Sequence, residues 1–229
     1  MSISESEELL FSEWRQKRPE LVADGVVDEN AYNASSPKLL FVLKEVNDPG
    51  GGRWDLREFV REGARRQTWD NIARWVEGIR RLPEDLPWEN LEQVDEKRRQ
   101  ESLQTIAAMN LKKSPGGYTT DGTEVSRIAT EDKAYLNRQF SLYDPDVVVC
   151  CGPSVSWILH QVVDLGSQPQ WRTTRRGIAF HEFKPQKFVI EYCHPEARVW
   201  PCLLYYSLID ALREIGVGAP KGNSNSRTP

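Results

Sequence analysis

The run Leu39-Leu40-Phe41-Val42-Leu43 constrains the fold more than any other stretch of this chain. Five consecutive apolar residues with no polar alternation do not suit a strand with one wet face. They need cover on both sides, which is the situation of a parallel sheet sandwiched between helices. Val147-Val148-Val149-Cys150-Cys151-Gly152 is the clearest strand in the chain, Phe188-Val189-Ile190-Glu191-Tyr192 reads as a further strand, and Ile106-Ala107-Ala108-Met109 as a short one. Segments of helical character separate these runs. The expected fold class is therefore α/β, a three-layer α/β/α sandwich around a short, mainly parallel four-stranded sheet.

The helical segments are read from spacing and punctuation. Residues 4–18 carry Leu9, Leu10, Phe11 and Trp14 among charges and stop at Pro19, and one or two helices fall within 53–81. Further helices are expected over 96–105, over 130–142 with Thr130 as its cap, over 154–163 and over 200–215. Asp24-Gly25, Ala34 to Pro37 and Asp121-Gly122 read as turns or loops, and the acidic, proline-interrupted stretch from Pro83 to Asp95 as a surface connection. Trp171 to Phe183 suits an extra strand or hairpin arm. Trp69, Trp75 and Trp157 are expected in the core, and Lys97-Arg98-Arg99 on a helix's wet face. Residues 1–218 are read as one domain and 219–229 as a disordered polar tail.

Composition removes several function classes. With 39% hydrophobic and 28% charged residues the chain is globular rather than disordered. Its net charge of −4 is not the overall signature of a nucleic-acid binder, so any such contact must come from a local patch. The acidic start, Met1 to Glu8, is unlike a signal peptide, and no apolar run reaches membrane-spanning length. The expectation is a cytoplasmic protein without a membrane partner. Cys150, Cys151, Cys193 and Cys202 form no CxxC spacing, so neither a structural metal, a cofactor nor a disulfide framework is expected.

In a parallel sheet ligands sit beyond the carboxyl ends of the strands, and here three strand exits carry polar residues. After Leu43 comes Lys44-Glu45-Val46-Asn47-Asp48-Pro49-Gly50-Gly51-Gly52, after Met109 comes Asn110-Leu111-Lys112-Lys113-Ser114-Pro115, and after Tyr192 comes Cys193-His194-Pro195-Glu196. In order and spacing these exits, together with the Leu142-Tyr143-Asp144-Pro145-Asp146-Val147 approach to a strand, resemble the uracil-DNA glycosylase superfamily over residues 38–215. Its motifs are a strand followed by an acid or Asn and a Pro/Gly turn, an Asn at a strand end followed by Lys and Pro, and a His-Pro-Ser after a strand.

The resemblance implies roles position by position. An acid of the first loop positions or activates the water that attacks the sugar C1′. Counting from the strand end points to Glu45, while aligning the Asp-Pro dipeptide points, slightly more strongly, to Asp48. Asn110 would read the flipped base, with Asn47 helping to hold a water and Trp54 or Phe59 stacking on the ring. His194 would stabilise the leaving base as it becomes an anion. Lys112, Lys113 and Arg198 would contact the nucleic-acid backbone. The implied activity is removal of uracil or another deaminated or damaged base from DNA, single- or double-stranded, with no metal or cofactor. Two departures stand out. Glu196 occupies the place of a Ser that contacts a phosphate in the family, and the cysteines of the iron–sulfur branch are missing. The alternative is a non-catalytic nucleic-acid or nucleotide binding module on the same fold. A generic nucleotide-binding α/β protein is disfavoured because neither GxGxxG nor a Walker pattern occurs.

Overall fold

A computed structural model of the chain describes residues 1–166 and 168–218; the stretch 219–229, expected to be a disordered tail, lies outside the described residues. In chain order the elements are α1 (Ile3–Lys17), β1 (Gly25–Val26), α2 (Glu29–Ala34), β2 (Leu39–Leu43), α3 (Leu56–Arg61), α4 (Arg66–Arg80), α5 (Glu96–Leu103), β3 (Ile106–Asn110), α6 (Gly122–Glu131), α7 (Lys133–Tyr143), β4 (Val147–Cys151), α8 (Val155–Val162), β5 (Arg172–Thr173), β6 (Ala179–Lys184), β7 (Lys187–Tyr192) and α9 (Pro201–Glu214).

The continuous apolar runs are strands, and β2, β3 and β4 are buried at every position. They pair in parallel with one another and with β7, in the order β3-β2-β4-β7. The expected count of four is corrected to seven. Gly25-Val26, within a segment read as a turn, adds β1 antiparallel to β3, and the 171–183 arm adds β6 and β5 antiparallel beyond β7.

Alternate residues of each strand face opposite layers. Phe41, Ala108, Val149 and Ile190 pack with Trp75 and Ile79 of α4 and with Leu208 and Leu212 of α9. Val42, Met109, Val148 and Val189 pack on the other face with Trp14 of α1, Leu136 of α7 and Leu159 of α8. Each fully buried Val, Leu, Ile, Phe or Met side chain among them contributes about 1.5–3 kcal/mol. Both faces being dry is what the unalternated runs require.

Four local readings differ from the sequence expectation. Asp121 is not a turn residue but the cap of α6, accepting from the Thr123 and Glu124 backbone N–H groups. The single helix expected over 130–142 is therefore preceded by another, and Asp132 lies at the junction, its buried carboxylate paired with Lys17 at 2.8 Å and Arg18 at 3.1 Å. Leu86, Leu91 and Val94 pin the supposed surface connection into the core, and Arg99 is buried against Asp70 at 2.8 Å rather than wet. Trp157 is 57% exposed rather than core. No helix among the described residues is long and apolar enough to cross a membrane.

Candidate functional site

Because β3, β2, β4 and β7 run in parallel, Leu111, Lys44, Gly152 and Cys193 leave the sheet on one edge. At about 4.8 Å per strand this edge is roughly 14 Å wide. The exits of β2 and β3 do not diverge. Leu111 and Lys112 donate their N–H groups to the Leu43 and Lys44 carbonyls at 2.9 and 2.8 Å. Gly116 donates to Val46 at 2.8 Å and Asp48 to Gly116 at 3.1 Å, so the parallel pairing continues beyond the sheet.

Both acids of the first loop sit against this extension. The Glu45 carboxylate accepts from Lys112 Nζ at 2.5 Å, with each side chain only 5% exposed. A side chain on Gly116 would begin 2.2 Å from that carboxyl carbon, so the close approach depends on glycine. Asp48 Oδ2 accepts from the Gly52 backbone N–H and from Trp54 Nε1, both at 2.8 Å. These bonds make Asp48 the fastener of its own loop. Trp54 and Phe59 meet edge to face with centroids 5.8 Å apart, both half-buried, while Asn47 is exposed and bridges to Gly116.

Asn110 and Lys113 belong to a buried polar network behind the edge. Asp24 Oδ2 accepts from the Asn110 backbone N–H at 2.7 Å and from its Nδ2 at 3.2 Å. Asp24 Oδ1 accepts from Lys113 Nζ at 2.6 Å and Gln139 Nε2 at 2.7 Å. The Lys113 ammonium also lies 5.3 Å from the Trp14 ring. Burial pushes its pKa below the ordinary lysine value, against the pull of Asp24. The phosphate contacts expected of Lys112 and Lys113 are thereby corrected: the side chains are 5% and 0% exposed and each is held in an ion pair, with Glu45 and Asp24. Asn110 is 3% exposed, and Oδ1 takes no hydrogen bond from the described residues.

His194 stands at the other end of the edge, exposed, on the exit of β7. Its Nδ1 accepts the Glu196 backbone N–H at 3.1 Å. A neutral ring with Nδ1 as acceptor carries its proton on Nε2, and that assignment follows from the hydrogen bond. Desolvation by the surrounding loops lowers the imidazole pKa and nearby Lys44 lowers it further, while Glu196 opposes both. Lys44 on the β2 exit and His194 on the β7 exit are thus electrostatic neighbours across Gly152, whose missing side chain would begin 3.7 Å from His194 Cβ.

The residues that hold this turn went unnoticed in the sequence. Thr68 Oγ1 donates to Glu196 Oε1, and Asn71 Nδ2 donates to the Pro195 carbonyl at 2.8 Å. The three-residue spacing of Thr68, Asn71 and Arg74 along an amphipathic helix was the available signal. Beyond the turn, Arg198 is exposed with no ion pair among the described residues, and Val199 and Trp200 are exposed to 46% and 77%. A cavity of about 820 Å³ lies elsewhere, beside the C-terminal end of α8, lined by Lys133, Asn137, His160 and Asp164. No cluster of three or more His, Cys, Asp or Glu residues able to hold a metal ion occurs among the described residues.

Fold and site together define an α/β protein whose polar groups gather on the carboxyl edge of a parallel core. No protein-family model matches the chain, and no curated protein matches its sequence.

Proposed function

We propose that this edge hydrolyses the N-glycosidic bond of uracil or another deaminated or damaged base in DNA, as a divergent relative of the uracil-DNA glycosylases working in the cytoplasm. The observation that carries the reading is an imidazole whose Nδ1 accepts a backbone N–H, which leaves Nε2 as the donor, on the same sheet edge as the Glu45 carboxylate. Cleavage of the C1′–N bond sends the bonding electrons into the base and leaves a cationic sugar. His194 Nε2–H donates to the base carbonyl oxygen on which the negative charge collects, and a group aimed at charge that grows in the transition state accelerates the step. Glu45, paired with Lys112 at 2.5 Å, takes the proton of the water that attacks C1′. Asp48 holds the loop that presents it.

Asn110, 3% exposed and bonded to Asp24, supports the β3 exit from behind rather than reading the base as expected. Trp54 and Phe59 wall the base. Arg198 and Lys44 are the exposed or half-buried cations available to phosphates, and Val199 and Trp200 offer an apolar surface to an unstacked base step.

Incubation with a single-stranded oligonucleotide carrying uracil, then alkali, should break the strand at the abasic site, and His194→Ala should abolish that break. One observation favours a second reading, a binding module without catalysis: Glu45 and Asp24 are each neutralised by a buried lysine. Intact strands across uracil, hypoxanthine and xanthine substrates, with oligonucleotide binding retained, would select it.

A further inference from the structure

We propose that Asn71, backed by Arg74, is a positioning residue that fixes the tautomer and direction of His194 through a single peptide unit. The Pro195 carbonyl and the Glu196 N–H belong to the same planar group, so a hydrogen bond that fixes the oxygen also fixes the N–H vector. Asn71 Nδ2 grips that oxygen at 2.8 Å, and the Glu196 N–H points at His194 Nδ1 at 3.1 Å. Arg74 Nη1 in turn donates to Asn71 Oδ1 at 2.8 Å, which settles which end of the amide faces the carbonyl. Arg74 is itself anchored by donating to the Leu91 and Glu92 carbonyls, both at 2.9 Å.

Every donor in this chain points the same way, from guanidinium to amide to peptide to imidazole. Aligned hydrogen bonds polarise one another, more strongly where water is excluded. Asn71 and Arg74 are 9% and 8% exposed, so the first links are dry. The chain draws electron density from Nδ1, which makes Nε2–H the better donor to an anion. It involves no proton transfer; each proton stays on its own nitrogen. The charged groups facing the imidazole are Lys44 and Glu196, and the Glu196 carboxylate is turned toward Thr68 at the start of α4.

This inference sharpens the glycosylase reading but its test does not depend on it. The chain holds three histidines, so ¹⁵N imidazole spectra of the free protein resolve His194 beside His160 and His181 as internal references. In the unaltered protein His194 should show the Nε2–H tautomer. Asn71→Ala should give a mixture of tautomers and move the His194 pKa upward, leaving the His160 and His181 signals in place. Asn71→Asp keeps a partner for Arg74, and hence the fold, but cannot donate to the carbonyl, so it too should mix the tautomers. Should either folded variant retain a pure Nε2–H tautomer, the positioning role is wrong. If the unaltered protein excises uracil, kcat should fall about tenfold in Asn71→Ala with KM nearly unchanged, the loss expected for one hydrogen bond. Absence of excision with the tautomer shift present would refute the glycosylase reading alone.

Discussion

The two ends of the carboxyl edge are built on opposite principles. At the β2–β3 end two ion pairs are sheltered from water, Asp24 with Lys113 and Glu45 with Lys112. At the β7 end the imidazole and Arg198 are open to solvent, and the turn is held from behind by hydrogen bonds to backbone atoms. Removing one partner of a buried pair strands the other, whereas removing an exposed side chain leaves the water around it little changed. Losing a partner at the first end should therefore cost stability, whereas truncating a side chain at the second end should not.

The largest effect expected from breaking this division is on stability. Lys113→Ala should cost about 3–5 kcal/mol in urea denaturation, because Asp24 is left buried and charged. His194→Ala should change the same measurement by less than about 0.5 kcal/mol. Equal losses would mean that the turn is part of the scaffold. Next in size is the acid. Glu45→Gln should lower the rate of uracil release about 100-fold while Asp48→Asn should lower it less, in single-turnover assays. The reverse ranking would transfer the water to Asp48.

Acid sensitivity sharpens the contrast. Away from the edge, His160 and His181 face each other with centroids 5.3 Å apart and with both Nε2 atoms buried and unpaired among the described residues. Burial brings the His160 pKa down to about 4. A depressed imidazole binds its proton more readily in the unfolded chain, so stability should be level above about pH 7. It should decline as pH falls from about 6.5 towards 4, by about 3 kcal/mol at most. The decline should persist in His194→Ala and shrink in His160→Gln; persistence in both would clear His160. The smallest effect concerns the open end. Arg198→Ala should reduce the salt dependence of oligonucleotide binding by a slope of about 1, the signature of one phosphate contact. An unchanged slope would remove Arg198 from the interface.

How far the sequence carried depended on whether a residue's partner lies nearby in the chain. The parallel core was legible because strands dry on both faces leave an unalternated apolar run, as Leu39–Leu43 does. β1 was hidden, since two residues carry no period, and Asp121-Gly122 looked like a turn because the same residue types cap helices. The site split along the same line. His194 and the first loop could be placed at strand ends, but nothing local shows that Lys112 meets Glu45 or that Lys113 meets Asp24. Nor could the helix spacing show that Asn71 reaches Pro195. Those contacts are decided by tertiary packing across many tens of residues.

The backbone pairing that continues past β2 and β3 has one more consequence, for motion. Segments tied by main-chain bonds on the flank of a buried sheet open seldom, so the amides of Leu111, Lys112, Gly116 and Asp48 should exchange with deuterium slowly for residues outside any strand. A floor that does not breathe cannot swing its acids toward a guest. Whatever enters must be brought to them by its own movement along the edge.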